Sequence, residues 1–323
     1  MNTSRRRQDV IPVLLAVFAV VALTDVASAQ LGRIGDAAGK LKKHTPNVSS
    51  ILEGKPPITT SLSDAKYGVD STEGETPSNA RPLTSLQRTL VGGFILRPGY
   101  YAMQTQSYCL KAGTHGPGGG DGYLYAPPLG PAEEAVVSIV RNSTSHSEIP
   151  QHEIQLLLWA IIARAKFEDL SPQLKATAAR LLTPQQIAML NRGALDMVPG
   201  PVLQEALNKA PAPLRATLEA EANLRRMLTT GESTFAEMER VAVLGGMAPL
   251  GEGSRNVPSG KWSLHPDGYY VRYIPSGYSS TRLEIWVPQG SSAAGKEYDP
   301  ALHIAVPGNT ARQRLIQSGR VHQ

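Results

Sequence analysis

The chain has 323 residues, with 32 lysines and arginines against 27 acidic residues, a formal charge of +5 and one cysteine. At about 100–200 residues per domain this length admits two domains, and a lone cysteine excludes an intramolecular disulfide framework. The charges are scattered, with no basic cluster interleaved with aromatics, so a nucleic-acid partner is not expected.

Arg5, Arg6 and Arg7 precede an apolar stretch of 14 residues from Val10 to Leu23, and Ala27 and Ala29 fill the small positions of an A-x-A cleavage site. A bilayer takes about 20 apolar residues, so residues 1–29 read as a cleaved signal peptide with the exported chain beginning at Gln30. Their removal takes away three arginines and two aspartates and leaves a charge of +4. No second apolar stretch is long enough to span a membrane. The expectation is an exported protein (secreted, periplasmic or at the cell surface) without stable membrane insertion, whose partner is a protein or an envelope surface.

Residues 30–88 are rich in Gly, Pro, Ser, Thr and charge, and poor in aromatics. Such a stretch buries too little apolar area to offset its ordering entropy and reads as a disordered linker. From residue 89 the pattern changes. Two β-rich runs flank the turn signal Pro98-Gly99. In the second, Tyr100, Ala102, Gln104, Gln106 and Tyr108 share one face, and Tyr101, Met103, Thr105, Ser107 and Cys109 share the other. Cys109 therefore ends a strand, just before the glycine-rich "GTHGPGGGDG". The run "GYLYAP" reads as a short return strand.

Helices follow. Pro131, Glu133 and Glu134 suit a first turn, and that helix should reach Asn142. "PQHEIQLLLWAIIARAKF" is apolar nearly all round, the mark of a buried helix. "SPQLKATAARLL" and "TPQQIAMLNRGAL" carry Ser/Thr-Pro starts, and three more helical runs extend to about residue 244. From 249 to 323 the chain reads as a small β unit, with strands joined by Asp-Gly and Pro-Ser-Gly turns. Its Trp262 and Trp286 and the nearby tyrosines suit the packing of a half-buried sheet. The fold class is α+β: a β-then-helical central domain over 89–248 and a β-rich C-terminal unit.

No phosphate-binding loop, dinucleotide fingerprint or zinc-protease helix is present, and no cofactor or metal is expected. Asp121 sits in the glycine loop without companion carboxylates at calcium-loop spacing. The open question is Cys109. It reads as a packed thiol in a non-catalytic binding or assembly component, or as a nucleophile with a histidine base, as in cysteine hydrolases. For the latter, His115 lies six residues downstream, and His146 and His152 sit near the buried helix.

A third reading comes from the "YCL" strand followed by a helix bearing glutamine and, four residues on, tryptophan ("IQLLLWAI"). This pattern resembles bacterial surface thioester domains. The resemblance implies Cys109 as thiol and Gln155 as acyl donor of an internal thioester that captures amines in adhesion. Trp159 would lie one turn from Gln155 on the same face, and Ile154 and Leu157 replace the family's threonine and alanine.

Overall fold

The computed structural model describes residue 51 and residues 55–65, 77–195 and 199–322. The expected signal peptide, residues 1–29, lies outside them, as does most of the expected linker up to residue 76. Among the described residues no helix is long and apolar enough to cross a membrane.

Two short strands, β1 (Arg81–Pro82) and β2 (Phe94–Ile95), precede β3 (Gly99–Cys109). Gly99 has φ +144°, and a Cβ there would lie 1.8 Å from the Arg81 guanidinium, so the Pro98-Gly99 turn requires glycine. Along β3, Tyr101, Met103, Thr105 and Ser107 are buried on one face and Tyr108 on the other, as the alternation predicts. β4 (Thr114–His115) and β5 (Tyr123–Ala126) follow.

Seven helices come next: α1 (Glu133–Asn142), α2 (Gln151–Ile162), α3 (Pro172–Leu181), α4 (Pro184–Gly193), α5 (Gly200–Lys209), α6 (Ala212–Thr230) and α7 (Phe235–Ala242). Ser171, Thr183 and Thr234 cap α3, α4 and α7 through side-chain bonds to backbone N–H groups, the last two in full capping boxes. The chain then returns to strands: β6 (Val243–Leu244), β7 (Ser263–Leu264), β8 (Tyr270–Pro275), β9 (Ser280–Val287), β10 (Glu297–Tyr298), β11 (Ile304–Pro307) and β12 (Leu315–Val321).

The main sheet has the order β5-β11-β12-β3-β9-β8-β7, with antiparallel neighbours throughout, and β1 joins β3 in parallel. The protein is α+β, but the expected boundary at residue 249 does not exist. β9 and β12, from the supposed C-terminal unit, flank β3 on its two edges. The reason is hydrogen bonding: 11 residues of β3 carry two rows of backbone donors and acceptors, and two-residue β2 and β4 cannot serve them. For the same reason β5 is no return strand against β3; it pairs with β11 at the sheet edge. β12, in a segment without strand alternation, supplies the partner of Cys109 through Leu315.

The helices cover one face of the sheet, where α2 is buried against Tyr108, Leu110, Leu124, Ile304 and Ile316. The opposite face carries Tyr101, Met103, Tyr123, Leu283 and Leu315 under Leu83, Phe94 and Leu96. Residues 55–65 and 77–88 are thus part of the fold and not linker. Ile58 and Leu62 enter the helical core and Leu83 the other. Hydrogen bonds from Thr59 N to Leu129 O (2.8 Å) and Ala132 N to Pro57 O (3.0 Å) hold the first strap in place. Average composition hid these few anchors, because a polar majority surrounds each one.

Candidate functional site

β9 pairs with β3 only as far as Gln106, opposite Ser280. Beyond it, the edge of β3 would present unpaired groups in a buried place. α2 fills the gap with two glutamines one turn apart, which places both on one helix face. Gln151 Nε2 donates to Ser107 O (3.2 Å) and to Ser279 O (2.7 Å). Cys109 N–H donates to Gln155 Oε1 at 2.8 Å, and Gln155 Nε2 donates to Cys109 O at 3.2 Å. The Gln155 carboxamide thus takes the place of a peptide group in a missing strand. The structure brings Cys109 and Gln155 together, and the contact runs through the Cys109 backbone.

The thiol itself is wholly buried. Burial pushes its pKa well up, and the Glu239 carboxylate pushes it further in the same direction. Glu239 also accepts a hydrogen bond from the Tyr278 hydroxyl. A nucleophilic cysteine needs the reverse surroundings, a cation or a helix N-terminus. No hydrogen bond joins this thiol to a histidine among the described residues. His115 lies on β4, where its backbone N–H donates to Ala311 O (3.0 Å). His146 sits 3.2 Å from Glu148, and the His152 ring packs on Phe235.

Asp121 organises the glycine loop. Its Oδ2 accepts from Gly118 N–H at 2.7 Å and pairs with Arg312 Nε at 2.8 Å, while Arg312 Nη1 donates to Gly116 O at 2.7 Å. Trp159 is fully buried and stacks on Phe235, with ring centroids 5.4 Å apart. The C-terminal aromatics pack largely on one another: Tyr270 stacks on Trp286 at 4.9 Å, and the Arg272 guanidinium lies 4.4 Å over Trp262.

A second polar centre is His303, fully enclosed on the opposite face of the sheet. Its Nδ1 lies 2.8 Å from Asp299 O, and a carbonyl only accepts, so Nδ1 carries the proton. Nε2 of the neutral ring then accepts from Tyr269 OH at 2.7 Å. Burial, followed by repulsion from His265, pushes the His303 pKa down to about 3.

Sequence reading missed a cluster of charges at the far end of α2. That helix ends in a Schellman motif, with Arg164 N–H donating to Ile161 O and Ala165 N–H to Ala160 O, both at 2.9 Å. The left-handed position, usually glycine, is Arg164 at φ +54°. A side chain costs about 1–2 kcal/mol there. In return the Arg164 guanidinium reaches Glu221 of α6, 3.2 Å away in a nearly closed setting. Arg225, one turn further along α6, donates to Ala163 O at 2.5 Å. These residues come from separate segments; the only local hint was an i,i+4 acid–base pair on an otherwise apolar face of α6.

Comparison with protein-family models, with curated proteins and with solved structures finds no match for the chain.

Proposed function

We propose that the chain is an exported, non-catalytic binding protein in which Cys109 and Gln155 are structural. One observation carries this reading: both polar atoms of the Gln155 carboxamide are spent on the Cys109 backbone, while the thiol is buried beside a carboxylate. A thioester would join the Gln155 acyl carbon to sulfur and expel the amide nitrogen as ammonia. That nitrogen is the donor serving the buried Cys109 carbonyl, so the reaction would strip a hydrogen bond from the strand end. A cysteine hydrolase would need a base at the thiol, and the surroundings hold the proton on instead.

The test is chemical labelling of the native chain. Iodoacetamide should react slowly until the protein is unfolded, and methylamine should add nothing. Rapid native alkylation with a depressed thiol pKa would favour the hydrolase. Methylamine incorporated at residue 155, with release of one thiol, would establish the adhesive thioester instead.

A further inference from the structure

A cavity of about 340 Å³ opens between α6, the C-terminal end of α2 and the residues that follow β3 and precede β12. Its walls are divided by chemistry. Ile58, Leu110, Ile162, Leu214 and Leu218 give it an apolar lining, and Lys111, Arg164, Arg314 and Glu221 supply charge. We propose that this cavity binds a small amphiphilic carboxylate, its head group at Lys111 and Arg314 and its apolar body along the leucine and isoleucine wall. The proposal rests on the reading of the chain as a non-covalent binding protein and names the class of its ligand.

The charges do not balance. Glu221 is the lining's one carboxylate, and Arg164 already meets it at 3.2 Å. Arg225 adds a second cation on the same carboxylate. Arg314 spends its guanidinium on neutral backbone oxygens, those of Ile58 and Thr60. Lys111 makes no hydrogen bond and no ion pair among the described residues. It stands two residues past Cys109, and the bond from Leu110 N to Arg314 O (3.1 Å) sets its segment beside that of Arg314. Two cations therefore line a largely apolar cavity without a direct ion pair among the described residues: Glu221, already held by Arg164, acts on both through space, and Asp64 acts on Arg314. Desolvation leaves such cations under-compensated until a further anion arrives.

Burial, then repulsion from Arg314, lowers the Lys111 pKa to about 8, against the opposing pull of Glu221. An anion seated at the ammonium would restore the ordinary value, so binding near pH 8 should take up protons. The presence of Glu221 in the lining favours a monoanion over a phosphate dianion. The volume holds roughly eleven groups of about 30 Å³ each, the size of a water. It lies at the small end of the range for ligand pockets, about 300–1,000 Å³. Octanoate, with ten non-hydrogen atoms, is a probe of that size.

Isothermal titration of the purified chain with octanoate, octanol, acetate and inorganic phosphate separates the contributions. Octanoate should bind at least tenfold more tightly than octanol, which lacks the charge, than acetate, which lacks the body, and than phosphate. At pH 8 the heat should vary with the buffer's ionisation enthalpy in the sense of proton uptake. Lys111→Met should weaken octanoate at least tenfold without lowering Tm, since the lysine makes no bond to lose, and Lys111→Arg should retain binding. Absence of octanoate binding would overturn the proposal. So would equal affinity for octanol, tighter binding of phosphate, or unchanged octanoate affinity in Lys111→Met. Each of these leaves the inertness of Cys109 untouched, whereas methylamine labelling would refute that reading and leave the cavity's binding to be judged on its own.

Discussion

Gln155→Met keeps the length of the side chain and removes both of its polar atoms. It strands the Cys109 N–H and C=O at a position where Cys109 is wholly buried and residue 155 is 1% exposed. An unsatisfied buried group costs about 1–3 kcal/mol, so two give about 2–6 kcal/mol. Methionine buries no amide of its own and offsets part of this, which leaves an expected loss of roughly 3–4 kcal/mol. Cys109→Ala removes only the sulfur and should cost about 1 kcal/mol. The clip runs to the backbone of residue 109, which alanine preserves, and the register sets Cys109 opposite Leu315, whose side chain lies in the core on the face away from α2. The double variant should therefore equal the sum of the single ones to within about 0.5 kcal/mol. Urea unfolding followed by tryptophan fluorescence measures all three, provided the m-value is constant. A loss below about 1 kcal/mol for Gln155→Met, or strong coupling to Cys109→Ala, would refute the backbone clip.

Acid should weaken the fold through His303. Its folded pKa of about 3 lies below the unfolded value of about 6.5, so the unfolded chain binds more protons between them. Stability should be complete above pH 6.5 and fall toward pH 3 by roughly 4–5 kcal/mol from this group. His265, lowered to about 4 chiefly by burial, acts in the same direction. His303→Gln should flatten the profile in urea titrations across that range; an unchanged slope would contradict it. Ile58→Ala should cost about 2–5 kcal/mol, as for other buried aliphatic truncations, although composition places this residue in a linker; a loss under 0.5 kcal/mol in the same assay would show that the strap is not part of the core. With Trp262 and Trp286 replaced by phenylalanine, Trp159 emission should resist acrylamide in the native state, and strong quenching would contradict its burial.

Local order was legible where a short-range rule governs it. The faces of β3, the proline-led caps of α3 and α4 and the buried character of α2 all follow from spacing and from the chemistry of single residues. The pairing of Cys109 with Gln155 was legible only as a coincidence of motif. The chemistry of their contact depends on where β9 stops, which no local pattern records. Long-range pairing was the main loss. β12 has a serine and a glycine where alternation should continue, and its strand character comes from the open edge of β3. Arg164 was invisible because its place at a glycine position becomes informative only when the backbone is seen to be left-handed. Lys111 and Arg314 are each unremarkable in sequence and gain meaning from the cavity they share.

The intact mass of the purified chain, measured before and after exposure to methylamine, tests the central claim most directly. With Gln155 holding the Cys109 backbone, the mass should equal that of the unmodified residues, with no methylamine adduct and a full thiol titre after unfolding. A mass low by about 17 Da, the ammonia lost when a glutamine acylates a cysteine, that methylamine converts to an adduct at residue 155 would contradict it.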